Sequence, residues 1–190
     1  MRMTSRKLLS LLLMMGIVFC GYLPSAHALD PRHDPINFKA AQSITSLVHQ
    51  SDVIALGAMD ESSIHAYPLG IKADKGGLVN YTQFVTLKRI WKGQPPTKLI
   101  VLTTGVNPLP EPKSPLNLKY PGALADGDYV LFLKRVPGTP YYQFTSGMQS
   151  VYPLISGRTI SLKDVGFQSL DQLTLHQLGS KLNYYLVGKL

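Results

Sequence analysis

From Tyr81 to Gly93 the chain reads Tyr-Thr-Gln-Phe-Val-Thr-Leu-Lys-Arg-Ile-Trp-Lys-Gly, and a Gln94-Pro95-Pro96 break follows at once. A run so rich in β-branched and aromatic residues reads as a long strand entering a turn. A second apolar run, Lys98 to Thr104, begins a few residues later, close enough for the two to lie side by side as an antiparallel pair. Strict alternation puts Val85, Leu87 and Trp91 on one face and Phe84, Thr86 and Ile90 on the other. Both faces carry apolar groups, which suits a curled sheet with something packed outside it better than an open sheet with one wet side. Lys88 and Arg89 fall on opposite faces near the strand end, where long side chains reach water. This pair is the expected centre of one β-rich domain.

At 190 residues the chain is long enough for a single domain with a real core. The first 28 residues do not belong to it. Arg2, Arg6 and Lys7 precede the apolar run Leu8 to Phe19, and small residues at Ala26 and Ala28 close the segment, the pattern of a secretory signal peptide. The run is shorter than the ~20 residues that a spanning helix needs, so no membrane span is expected after cleavage. The one cysteine, Cys20, lies inside this leader, preceded by Phe19 rather than by the small residue that lipid attachment requires. Cleavage after Ala28 leaves a cysteine-free chain, so packing alone must hold the fold in an oxidising destination. Cysteine-free exported domains point to a Gram-positive bacterial origin and a secreted location. Removing Arg2, Arg6 and Lys7 from the 19 basic residues leaves 16 against 11 acids, a net charge of +5. Outside the cell that modest excess favours anionic surfaces, such as wall polymers or lipid headgroups, over nucleic acid. A solvated, mildly basic surface is the simpler explanation of the same charge.

The remaining chain alternates strands and connections. Leu29 to Ile36 is a proline-punctuated arm, expected to be flexible, and residues 37–190 form the domain. Ala40, Ala41, Ile44, Leu47 and Val48 recur at helical spacing and predict a helix over Asn37–His49. Ser51 to Met59 reads as the first strand, with Gly57 leaving room for a bend or a close approach. Asp60 to Asn80, with Pro68, Gly70, Gly76 and Gly77 beside Lys72 and Lys75, reads as a long polar loop and the first candidate for function. Pro108, Pro110, Pro112 and Pro115 forbid regular structure from Gly105 to Tyr120; Leu109, Leu116 and Leu118 are expected to anchor this loop. Tyr129 to Val136 is a third strand, and Pro137-Gly-Thr-Pro140 turns it into a hairpin with Tyr141 to Thr145. Short strand-like pieces follow at Ser150–Leu154 and Arg158–Leu162. Thr174, with Gln177 three residues on, caps a helix whose stripe is Leu175, Leu178, Leu182, Tyr185 and Leu186; Gly179 weakens it.

Taken in order, the strand Asp52–Met59, a long connection, the strand ending in Trp91-Lys92-Gly93, the strand Leu99–Thr104, and Gly127-Asp-Tyr-Val-Leu-Phe-Leu133 with its hairpin partner form a recognisable series. Over Ser51 to Leu154 it resembles the netrin-like module, the OB-type barrel of tissue inhibitors of metalloproteinases and of related bacterial secreted proteins. The resemblance implies a mainly β fold, a five-stranded, OB-like curled barrel, on which the short N-terminal helix and the C-terminal helix read from the apolar spacing are expected to pack. A β-sandwich is the alternative. Inhibitors of that family chelate the protease zinc through an N-terminal cysteine, which the mature chain lacks, so their mechanism does not carry over. Barrels of this type bind extended polymers across an open face, an inference from fold alone.

No catalytic constellation has the right spacing: there is no Gly-x-Ser-x-Gly elbow, no His-Glu-x-x-His and no phosphate loop. His33, His49, His65 and His176 are scattered, whereas zinc sites favour tight local spacing. His33 with Asp34 and Asp30 lies in the arm, where solvation explains it as well as a cation does. Asp126 and Asp128 have the residue types for glycoside chemistry, but Asp-Gly-Asp before a strand is ordinary turn chemistry. No metal, cofactor or catalytic residue is therefore expected. Tyr81, Tyr141 or Tyr142, if turned outward beside Lys88 or Lys134, would make a stacking platform for sugar rings or a partner; core use is the competing reading, and Trp91 is expected to cap the core. The expectation for function is a secreted, non-catalytic binding module for an anionic envelope polymer or a secreted or surface protein. Its binding residues would be a basic rim of Lys72, Lys75, Lys88, Arg89 and Lys92 with Tyr81, Tyr141 and Tyr142. The alternatives are an extracellular hydrolase or metal-dependent enzyme, and a protease inhibitor using Gly105–Tyr120.

Overall fold

The computed structural model describes residues 29–188; the leader expected over residues 1–28, Cys20 included, lies outside them. Among the described residues no helix is long and apolar enough to cross a membrane. Strands β1 (Val53–Ala73), β2 (Gly76–Lys92), β3 (Lys98–Asn107), β4 (Gly127–Arg135), β5 (Tyr141–Phe144), β6 (Val151–Ile155) and β7 (Arg158–Thr159) form one sheet in the order β1-β2-β3-β5-β4-β6-β7. An additional antiparallel pairing of β1 with β4, from Val53–Leu133 to Met59–Gly127, closes the first five into a ring. The protein is thus a five-stranded, OB-like curled barrel, and the β-sandwich alternative does not apply. The β3–β5 seam is its shortest, joined in parallel at Ile100–Tyr141 and Val101–Tyr142.

Two apolar layers hold this ring, as the two-sided pattern of β2 predicts. Val53, Ala55, Met59, Val85, Leu87, Leu99, Val101, Leu131, Leu133, Tyr142 and Phe144 fill the barrel. Outside it, Ile54, Leu56, Val130, Phe132 and Tyr152 are covered by helix α1 (Ile44–Gln50) and the C-terminal helix, through Leu47, Val48, Leu178 and Leu182. Gly57 faces inward at a shift of register, and a Cβ there would lie 2.4 Å from Val85 Cγ1. Its bare backbone lets the ring curl over that side chain.

Several expectations change. The first helix begins at Ile44, capped by Ser43, whose hydroxyl accepts from the Ser46 N–H at 3.1 Å. Residues 37–42 are held to the barrel instead: the Ala41 N–H donates to Gln149 Oε1 at 2.8 Å, and Phe38 packs where Gly147 has no side chain. Tertiary contacts here override the helical spacing, and Ala40 is exposed. The arm before it lies on the barrel too: Asn80 Nδ2 donates to the carbonyls of Pro31 and Asp34 at 2.9 and 2.7 Å, and the Ile36 N–H donates to Thr104 Oγ1 at 2.6 Å.

Asp60–Asn80 is not a loop. β1 continues to Ala73 and pairs with β2 through Ala73–Gly76, so the segment is a β-ribbon running out from the ring. Its residues read as loop because the ribbon has no core against most of its length, and because Pro68 and a left-handed Gly70 mark a shift of register before Lys72, whereas Gly76 and Gly77 pair regularly with Ala73 and Lys72. Trp91 also departs from strict alternation: shifts of register at Ile54/Ala55 and Leu56/Gly57 turn it outward, against the helix-covered layer. There it caps the core, as expected, though the outer one.

In the proline segment, β3 runs on to Asn107 and Leu116–Lys119 forms a single helical turn, α2. Leu109 is 85% exposed and Leu118 is exposed as well, so only half-buried Leu116 serves as the expected anchor. The final helix, α3 (Leu175–Val187), carries the predicted capping box: the Thr174 side chain accepts from the Gln177 N–H, and the Gln177 side chain accepts from the Thr174 N–H. Gly179, unfavourable for the helix itself, seats Trp91; a Cβ there would stand 3.1 Å from the indole nitrogen.

Candidate functional site

The helices cover the outside of β1 and β4, and the arm covers the far part of β3, where Ile36 and Phe38 lie over Leu102, Thr103 and Thr104. What stays open is the outer face of β2, β3 and β5 near the seam. Phe84 and Ile100 are directly opposed across β2–β3, and Ile100 is in turn opposed to Tyr141 across β3–β5. Cross-strand partners point to the same side of a sheet, so these three side chains form one row. His65 and Tyr67 come from the ribbon half of β1 and flank it, their rings 6.0 Å apart. With Ser63 and Thr82 they line a shallow groove of about 180 Å³.

One cation sits on the row: Lys98 Nζ lies 4.0 Å from the centre of the Phe84 ring. An exposed cation–π contact of this kind contributes about 0.5–1 kcal/mol and leaves the ammonium's hydrogens free for an anionic or hydroxyl group. The lip of the groove is set by hydrogen bonds in the irregular stretch after Met59: the Phe84 N–H donates to Ser63 Oγ at 2.8 Å, and the Ser63 hydroxyl donates to the Asp60 carbonyl at 2.6 Å. The site can hold flat, partly apolar groups in an extended row.

Of the residues expected to bind, Tyr141 belongs to this groove. Tyr142 does not: alternation turns it into the barrel, where it is buried and its hydroxyl accepts from Arg135 Nη2 at 3.2 Å. Tyr81 is half-buried against Gly105, and burial raises its pKa above the ordinary tyrosine value. It therefore offers no outward platform.

The basic rim divides. Lys72 and Lys75 are exposed at the ribbon tip, whereas Lys88, Arg89 and Lys92 stand near the other end of β2, roughly 40 Å of strand away. Each of these three has a partner within the chain. Lys88 Nζ donates to Asp128 Oδ1 at 2.6 Å, Arg89 lies over the Trp91 ring at 5.3 Å, and Lys92 Nζ donates to the Val48 and His49 carbonyls at 2.7 and 3.0 Å. Lys92 thus caps the C-terminus of α1, where a cation is favoured; desolvation lowers its pKa, opposed by Asp52. The five cations do not make one edge.

Asp126 and Asp128 are likewise engaged, Asp126 accepting from the Glu61 N–H at 2.6 Å and Asp128 bound to Lys88. The histidines lie on the arm, α1, β1 and α3, and among the described residues no group of three or more His, Cys, Asp or Glu side chains could hold a metal ion.

No protein-family model, curated protein or solved structure matches this chain.

The sequence reading missed Phe84, Ile100, Lys98, His65 and Tyr67 as a unit. Phe84 had a signal, since it alternates away from Val85 and Leu87 in a strand with both faces apolar. The unit as a whole also needed the pairing of β3 with β5 and the extension of β1 past Met59.

Proposed function

We propose that the protein is an exported, non-catalytic binding module that holds an extended envelope polysaccharide across the outer face of β2, β3 and β5. The observation that carries this reading is the uncovered row Phe84–Ile100–Tyr141, flanked by His65 and Tyr67, with Lys98 at its edge. Aromatic faces of this kind accept the apolar faces of sugar rings, and Lys98 adds a contact for an acidic or hydroxyl substituent. In OB-type barrels the strand 2–3 face is where such polymers bind, and that analogy of fold supports the same choice of face. The leader pattern, Arg2, Arg6 and Lys7 before Leu8–Phe19, supports export. The resemblance to the netrin-like module is proposed for the barrel alone, because the chain's single cysteine is Cys20 and the inhibitors' zinc-chelating terminus has no counterpart.

The test is the affinity of residues 29–190 for soluble, chemically defined envelope glycan fragments, measured by calorimetry. Phe84→Ala and Tyr141→Ala should each weaken binding roughly tenfold, the equivalent of about 1.4 kcal/mol for a stacking contact. Glycans bound equally well by both variants would reject the reading.

A further inference from the structure

The two residues of the expected rim that remain without partners, Lys72 and Lys75, stand at the tip of the β1–β2 ribbon, away from the groove. Beside that tip lies the proline segment. Ala73, Asp74, Lys75 and Gly76 on one side and Pro108, Leu109, Glu111 and Lys113 on the other line an open cleft of about 450 Å³, so both projections share one end of the molecule. This end collects Ile71, 41% exposed, and Leu109, 85% exposed. It also carries Lys72, Lys75 and Lys113 against Asp74 and Glu111, a net positive charge. Among the described residues none of these three lysines forms an ion pair, in contrast to Lys88.

The proline segment is ordered by its own hydrogen bonds. Asn117 Nδ2 donates to the Glu111 and Pro112 carbonyls at 2.8 and 3.3 Å, and the Ser114 N–H donates to the Glu111 carbonyl at 2.8 Å. Leu109 lies just before this hydrogen-bonded stretch.

We propose that this end docks on an anionic lipid surface, with Leu109 entering the headgroup layer and the lysines meeting the lipid phosphates. Charge complementarity selects this occupant. Exposed apolar side chains beside lysines that form no ion pair among the described residues fit a soft anionic interface, where apolar insertion and electrostatic attraction add. For an exported chain the surface is the outer leaflet of a membrane, and docking would hold the groove beside the envelope. The proposal stands apart from the glycan reading, since none of its residues lines the groove.

Residues 29–190, which contain every described residue, are co-sedimented with vesicles of phosphatidylcholine alone and with phosphatidylglycerol added, at low and high salt. Binding is expected only with the anionic lipid, weakening as salt rises. Lys72→Gln with Lys75→Gln should lower partitioning roughly thirtyfold, at about 1 kcal/mol per lysine. Leu109→Asp should lower it about tenfold. The control pair Lys39→Gln with Lys163→Gln removes the same charge from exposed sites elsewhere and should keep most of the binding. No binding to anionic vesicles, equal losses in both lysine pairs, or binding that Leu109→Asp leaves unchanged would each overturn the proposal. So would capture by an anionic wall polymer with none by vesicles.

Discussion

Replacing Asn80 with leucine removes the clamp that holds the N-terminal arm. Asn80 is fully buried on β2; its amide donates to two arm carbonyls, and its Oδ1 accepts from the Thr104 hydroxyl at 2.5 Å, whose oxygen in turn accepts from the Ile36 N–H. Leucine keeps the branched shape of the side chain but is larger, so some overpacking adds to the loss. What is lost is two hydrogen bonds to the arm and the acceptor for a buried hydroxyl, at about 1 kcal/mol each. The total is roughly 2–4 kcal/mol, a fall in Tm of about 5–15 °C for a chain this size. Denaturant unfolding gives the free energy, and amide hydrogen exchange at Ile36 reports the arm directly, because its N–H loses a fixed partner when the arm lifts. Asn80→Asp sharpens the test, since it sets a carboxylate oxygen against two carbonyl oxygens at the same volume; it should cost at least as much. A Tm within 1 °C of the parent in both variants, with Ile36 exchange unchanged, would refute this account of the arm.

Two further perturbations probe the layers of the fold. Burial drives the pKa of Tyr152 up to about 12 from 10, opposed by the hydrogen bond that its oxygen accepts from the Phe167 N–H. The folded state therefore keeps this proton longer than the unfolded chain, so the stability it contributes is complete below pH 10 and falls as pH rises toward 12, by roughly 2–3 kcal/mol. Tyr152→Phe should lower stability near pH 7 by about 1 kcal/mol and flatten the alkaline decline; an unchanged decline would reject the assignment, with Tyr81 and Tyr129, also shifted upward by burial, as the remaining sources. Gly57→Val should be far worse than Ala55→Gly in urea unfolding, at 3 kcal/mol or more by estimate (about 1–3 kcal/mol for ordinary overpacking), because even a Cβ collides with Val85. Equal stability in Gly57→Val and the parent would mean that the ring does not curl there.

The barrel was legible where one physical signal dominates. Alternation with two apolar faces announced a curled, covered sheet, and the Thr174–Gln177 pair fixed the start of the last helix. The signal failed where pairing outweighs side chains. His65 and Lys72 look like loop because the ribbon has little to bury, yet they pair with Thr82 and Gly77 in the ladder to β2, while Ser62 and Ser63 lie in the unpaired bulge between Asp60 and His65. Bulges misled in another way: the extra residue Lys88 on β2 reverses the alternation, which sends Trp91 outward, and a second extra residue restores it at Lys92. The groove was half visible. Phe84 meets Lys98 and Ile100 across the β2–β3 pair that could be read, but Tyr141 and His65 join them only through a parallel seam and a ribbon that no local pattern encodes.

The most direct measurement maps chemical shifts in residues 29–190 on titration with a soluble envelope glycan. The account predicts that the largest changes fall on Phe84, Lys98, Ile100 and Tyr141, with His65 and Tyr67 next, and that the barrel interior stays silent. Shifts centred on Lys88, Arg89 and Lys92, or on none of these residues at saturating glycan, would contradict it.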